Sequence, residues 1–129
     1  IQAILFKIFC HKKQKAVIFG GEPKMRFIPG IGSCMRPSIL DIAHIDEVVK
    51  IDERDTIRSC YSIIDKHSYV PGGSSGTVYE AIRRFFKEKR FDKKPNVIAL
   101  FADGGDRYME TIYNSDWVNE HINFEEKEF

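Results

Sequence analysis

The stretch Asn96–Ala102 (NVIALFA) constrains the fold more than any other part of the chain, because no polar side chain interrupts it from Val97 to Ala102. A strand with one wet face alternates apolar and polar residues, so an unbroken run marks a strand covered on both faces, as in a parallel sheet between layers of helix. Pro95 precedes the run and Asp103-Gly104-Gly105-Asp106 ends it, which punctuates both sides. Parallel strands require crossover connections, so the remainder should alternate strand and helix.

The chain carries that alternation. Ile4–Cys10 is rich in β-branched and aromatic residues and reads as a strand, followed by a basic loop, His11–Lys15, and a short apolar run, Ala16–Phe19, that Gly20-Gly21 stops. Glu22–Pro37 has no helical or strand period and is punctuated by Pro23, Pro29, Gly30, Gly32 and Pro37. Its apolar residues, Met25, Phe27, Ile28, Ile31 and Met35, point to a packed, functional loop. A helical turn is expected at Ser38–Ile42 and a buried strand at Glu47–Ile51, centred on Val48 and Val49. Asp52 can cap a helix whose first turn holds Glu53 and Asp55 and whose inner face is Ile57, Cys60, Tyr61 and Ile64. Tyr69-Val70 is extended and runs into Gly72-Gly73-Ser74-Ser75-Gly76, after which Val78, Ala81, Ile82 and Phe85 form the apolar side of a second helix. One or two helical turns are expected within Arg107–Val118, and Asn123–Phe129 reads as a frayed acidic tail. The class is α/β, with parallel strands and flanking helices.

Composition narrows the partners. With 20 basic and 19 acidic residues the chain has no single-sign field to attract nucleic acid or anionic lipid. The apolar run near the start, Ala3–Phe9, contains Lys7 and is far too short to span a bilayer. Cys10, Cys34 and Cys60 form no CxxC pair and read as reduced thiols, which places the expected compartment in the cytoplasm. No metal site is expected. The opening on Ile1 suggests a fragment.

Ligands in parallel α/β sheets bind beyond the carboxyl ends of strands, and two glycine-rich elements lie at such ends. Gly72-Gly73-Ser74-Ser75-Gly76 joins an extended piece to a helix N-terminus, where free amides and the positive pole can hold an anion; it is equally an ordinary turn with a serine cap. No Gly-Lys-Ser/Thr follows, so it is not a Walker loop. Asp103 can meet a ligand's ring nitrogen or a metal where the buried run emerges, or it can cap the following turn together with Asp106. Phe27–Cys34 (FIPGIGSC) can line a pocket or simply pack. Cys34 lacks a nearby His or Asn and reads as a plain thiol. His11 and His121 in polar surroundings, His44 before a strand and His67 at a helix end read as solvated or structural.

The order of these pieces is more telling than any one of them. GGEPKMRFIPGIG, IDEVVKIDERDTI, GGSSGTVYEAI and ADGGDRYMETIYNSDWV resemble, in sequence and spacing, the C-terminal half of the cysteine synthase and cystathionine β-synthase type of pyridoxal-phosphate enzymes. These have fold type II, the tryptophan synthase β-like architecture. The resemblance implies that residues 1–122 are the C-terminal part of the large cofactor-binding domain, incomplete, with 123–129 as its tail. FGGEPK, IPGIG and DRY-x-x-TIY-x-x-x-W are most similar to the branch that makes N-(2-amino-2-carboxyethyl)-L-glutamate for 2,3-diaminopropionate and siderophore assembly. Enzymes of that branch eliminate the β-substituent of O-phosphoserine to an aminoacrylate on the cofactor and add the amine of glutamate; ordinary cysteine synthases add sulfide. A non-catalytic α/β remnant is the rival from another class.

Carried over by position, the resemblance implies that Gly30, Ile31 and Gly32 border the substrate cleft. Gly72, Gly73, Ser74 and Ser75 would lie by the cofactor ring, and Asp103 and Gly104 near the pyridine nitrogen, where cysteine synthases commonly present a serine. It further implies amino-acid substrates and a homodimeric full-length enzyme. The family's Schiff-base lysine, substrate loop and Gly/Thr-rich phosphate cup precede the matched region, and no lysine here stands in the matching context. The chain by itself is therefore expected to bind pyridoxal phosphate weakly and to turn nothing over.

Overall fold

A computed structural model describes residues 9–10, 27–28, 38–42, 48–87 and 89–122. Strand β1 (Phe9–Cys10) pairs in parallel with β2 (Lys50–Ile51), Phe9 opposite Lys50 and Cys10 opposite Ile51. β2 is shorter than the expected Glu47–Ile51 and lies at its end; Ile51, rather than Val48 or Val49, is the fully buried residue. The turn expected at Ser38–Ile42 is a 3-10 turn, Ser38–Asp41. The expected run Ala16–Phe19, most of Ile4–Cys10, the loop residues Gly30, Ile31, Gly32 and Cys34, and the tail 123–129 lie outside the described residues.

Helix α1 (Glu53–His67) starts where the sequence says it should. The Asp52 carboxylate accepts a hydrogen bond from the Asp55 amide at 2.9 Å, and acidic residues at the start and Lys66 and His67 at the end suit the helix dipole. It stops at Ser68, whose left-handed backbone (φ 52°) lets its N–H reach the Ile64 carbonyl at 2.9 Å. The inner face is rotated slightly from the expected one: Thr56, Ile57, Ser59, Cys60 and Ile63 are buried, whereas Tyr61 is exposed.

Helix α2 (Gly73–Lys87) packs along α1 and begins inside the glycine-serine turn itself. The close approach is made at Gly76, where an added Cβ would lie 2.4 Å from Cys60 Sγ and 2.7 Å from the Thr56 carbonyl oxygen. Polar bridges line the same seam: the Thr56 and Thr77 hydroxyls meet at 2.8 Å, and Ser59 donates to Glu80 at 3.0 Å. Arg84 reaches from α2 to Asp55, to Glu80 at 2.9 Å and to the Lys50 carbonyl at 3.3 Å, tying both helices to β2.

The segment Asn96–Ala102 differs from expectation. It is assigned to no strand, and Ile98 and Leu100 are 95% and 82% exposed. The side-chain pattern of a doubly covered strand is present, but a strand exists only with a ladder partner, and none is present among the described residues. Its far end is held, by Phe101 stacked on Tyr69 at 6.0 Å and, just beyond, by an antiparallel bridge between Pro71 and Gly104. A 3-10 turn (Gly105–Tyr108) and helix α3 (Ser115–His121), capped by Asn114, follow. Tyr108, Ile112, Val118 and Ile122, from these elements and the residues joining and following them, close the core against Ile28, Ile57 and Cys60, with Trp117 and Tyr113 at its edge. No helix among the described residues is long and apolar enough to cross a membrane.

Candidate functional site

The two glycine-rich elements singled out in the sequence meet. The Gly72 amide donates to the Asp103 carbonyl at 3.0 Å and the Gly105 amide to the Val70 carbonyl at 2.9 Å, so the end of the apolar run is zipped to the lead-in of α2. Ser75 donates to the same Asp103 carbonyl at 3.4 Å, and the Tyr69 hydroxyl does so at 3.5 Å. The Asp103 carboxylate then folds over the first turn of α2. Oδ2 accepts from Tyr108 at 2.8 Å and Oδ1 from Ser74 at 3.5 Å. Gly72 makes room for it, since a Cβ there would lie 2.0 Å from Oδ1.

This arrangement removes one of the readings that local sequence left open. Asp103 does not cap the turn after it, whose N-cap is Gly104 with no side-chain hydrogen bond. It lies instead against the start of the helix before it, where its negative charge meets the positive pole of α2. The helix end is thereby already matched with an internal anion, and a phosphate brought to the same place would meet like charge. Asp103, Ser74 and Gly104 are half-buried, whereas Gly72, Gly73 and Ser75 are buried behind them. What faces outward is a carboxylate with one oxygen steadied by a phenol, together with a serine hydroxyl. Such a set suits a protonated heteroaromatic nitrogen, which donates to the carboxylate.

The wall behind the carboxylate keeps its protons. Burial, followed by the hydrogen bond and charge of Asp103, pushes the Tyr108 hydroxyl up to about 12, so it remains a donor at neutral pH. Burial also raises Tyr113, whose hydroxyl donates to the Pro71 carbonyl. The Cys60 thiol, buried under Gly72 and Gly76, is pushed up to about 11 and stays a neutral packing group, with its S–H directed at the Gly72 carbonyl at 3.8 Å. These residues were missed as site components in the sequence. Tyr108 and Tyr113 enter there only as part of the DRY-x-x-TIY-x-x-x-W string, although their spacing after the DGGD bend was the available signal.

Gly30, Ile31 and Gly32, the expected cleft border, lie outside the described residues; the nearest described residues before them are Phe27 and Ile28. Ile28 reaches the site from below, its Cγ2 2.5 Å from where a Gly73 Cβ would be. His121 has both aromatic and polar neighbours: it stacks on Trp117 at 4.7 Å and meets Phe27 edge-on at 5.1 Å, while its Nδ1 lies 2.9 Å from the Trp117 carbonyl oxygen and 3.8 Å from the Glu120 carboxylate. His67 ends α1 with its ring edge-on to Tyr79 at 6.0 Å. His11 and His44 lie outside the described residues.

Asp103, with Tyr108 and Ser74 beside it, has the chemistry to accept from a protonated ring nitrogen, whereas the first turn of α2, already occupied by a carboxylate, does not have the chemistry to hold a phosphate.

No family model matches the chain. Among curated proteins it is similar to the N-(2-amino-2-carboxyethyl)-L-glutamate synthase of Ralstonia nicotianae, 33% identical over 103 residues that make up 80% of this chain and 30% of the relative. The chain spans less than a third of the length of that relative.

Proposed function

We propose that this chain forms the ring-nitrogen wall of the cofactor cleft in a pyridoxal-phosphate-dependent β-replacement enzyme of fold type II. The nucleophile is glutamate and the product N-(2-amino-2-carboxyethyl)-L-glutamate, a precursor for 2,3-diaminopropionate. The activity for which the Ralstonia nicotianae relative is named favours this branch over the sulfide-using one. The observation that carries the reading is the placement of the Asp103 carboxylate at the mouth of the Gly72–Ser75 turn, held by Tyr108 at 2.8 Å.

Bound there, pyridoxal phosphate supplies the conjugated ring that takes up electrons from the substrate's α-carbon. This chain's part is to keep a negative charge facing the ring nitrogen, so that the nitrogen retains its proton and the ring its electron demand. Tyr108 fixes the carboxylate in one direction, and Ser74 supplies a hydroxyl beside it. In this reading the residues that hold the phosphate, the lysine that anchors the cofactor and the pocket for the incoming amine are supplied from outside the segment shared with the relative, which is 30% of that protein.

The test is a titration of pyridoxal phosphate into the chain, followed by Trp117 fluorescence. Weak, saturable binding is expected without a visible band from a lysine-linked cofactor. Asp103→Asn should weaken it about tenfold, the scale of a charge-assisted hydrogen bond. Binding unchanged in D103N, or a band fixed by borohydride onto a lysine of this chain, contradicts the assignment.

A further inference from the structure

Glu53 sits in the first turn of α1, where acidic residues are common because they complement the helix dipole. Its surroundings exceed that role. The residue is only 6% exposed, and a single carboxylate oxygen, Oε1, accepts from the Phe27 amide at 2.9 Å and from the Ile28 amide at 2.7 Å. Two amides on one buried carboxylate oxygen fix a stretch of backbone remote in sequence. That stretch carries Ile28, itself 1% exposed, whose Cγ2 lies 2.5 Å from the position a Cβ would take at Gly73. Gly73 is the first residue of α2. A continuous path of contacts therefore runs from the Glu53 carboxylate, through the Phe27–Ile28 backbone and the Ile28 side chain, to the turn on which Asp103 rests.

We propose that Glu53 is a positioning residue for the first turn of α2, setting its height through Ile28. Calling that turn part of a cofactor cleft rests on the function proposed above; the mechanical coupling does not. Glu53 touches no expected ligand atom and acts only through Ile28.

Two isolated changes separate this role from a dipole role. Glu53→Asp keeps the negative charge in the first turn of α1 but withdraws the oxygen from the Phe27 and Ile28 amides. Glu53→Gln loses the charge but keeps an acceptor oxygen at full reach. Amide hydrogen exchange is read at Phe27 and Ile28, and at Ser75 and Gly76, whose N–H groups donate to the Gly72 carbonyl at 3.1 and 3.2 Å. E53D should speed exchange at both pairs about tenfold, whereas E53Q should stay within about threefold of the wild-type chain. Ile28→Ala should speed Ser75 and Gly76 similarly while sparing the Phe27 amide.

The reverse order, E53Q faster than E53D, overturns the proposal. So does acceleration at Phe27 and Ile28 that leaves Ser75 and Gly76 unchanged in both E53D and I28A. A pyridoxal phosphate titration on the same samples keeps the two ideas apart. Failure of the wild-type chain to bind counts against the cofactor reading, while the exchange order still judges Glu53.

Discussion

Tyr108, Tyr113 and Cys60 lie around one small volume beneath Asp103, and each holds its proton more tightly than it would in water. Burial is the largest cause in every case; it moves the Cys60 thiol from 9.0 to about 11 and the Tyr108 hydroxyl from 10.0 to about 12. Tyr61 is shifted in the same direction. A group that binds its proton more tightly folded than unfolded contributes stability that is fully present below its unfolded pKa and lost as pH rises through the folded one. For Cys60 and Tyr108 the loss runs from 9.0 up to about 12. The urea midpoint of the chain should therefore fall steadily across that range, and Tyr108→Phe should flatten the part above 10.0, the ordinary tyrosine value. A midpoint constant to pH 12, or an unaltered slope in Y108F, contradicts this picture. At this scale the sequence was half readable. Asp103 stood out as a carboxylate at the end of an apolar run, with capping of the next turn as the local alternative, but nothing local could say that it turns back onto the preceding helix. Glu53 was read as a dipole partner because its backbone partners, Phe27 and Ile28, are 26 and 25 residues away in sequence.

The paired helices were the most legible elements. Asp52, the acidic first turn and the apolar spacing of α1 all agree with one another, and such agreement across local signals is what specifies an element. The exact inner face was less legible. Thr56 and Ser59 are buried because α2 supplies Thr77 and Glu80 opposite them, and a hydrophobicity pattern cannot foresee a polar seam. Arg84 is the centre of that seam. Among its influences burial lowers its pKa, but hydrogen bonds and charges from Glu80 and Asp55 outweigh burial and raise it overall. The side chains of Asp55 and Glu80 are only 19% and 13% exposed, so removing the guanidinium leaves two poorly solvated carboxylates with their lesser partners alone, Arg58 at 3.7 Å from Asp55, and Arg83 and Ser59 at 2.9 and 3.0 Å from Glu80. Arg84→Met should cost about 1–3 kcal/mol, above a surface ion pair and below a fully buried one. Urea unfolding measures the loss. A change under about 0.5 kcal/mol, the scale of an ordinary surface substitution, would mean that the bridge is ornamental.

Across the whole molecule, Asn96–Ala102 is the place where local pattern and observed environment part company. Its composition states that both faces should be covered, yet Val97, Ile98 and Leu100 are exposed, and the segment has no ladder partner among the described residues. Sequence reports what a segment requires, whereas structure reports what covers it, and among the described residues the two disagree here. An extended apolar stretch without charge offers unpaired N–H and C=O groups to any similar strand, and another copy of the chain is the nearest source. The chain should therefore self-associate as its concentration rises through roughly the micromolar-to-millimolar range. Sedimentation velocity would detect this as a rising weight-average mass. Ile98→Lys sits at the most exposed apolar residue, 95% open, and should suppress the association without lowering the urea midpoint. Association that persists unchanged in I98K would place the contact elsewhere. A loss of folded stability in I98K would show that the segment is covered within one chain after all.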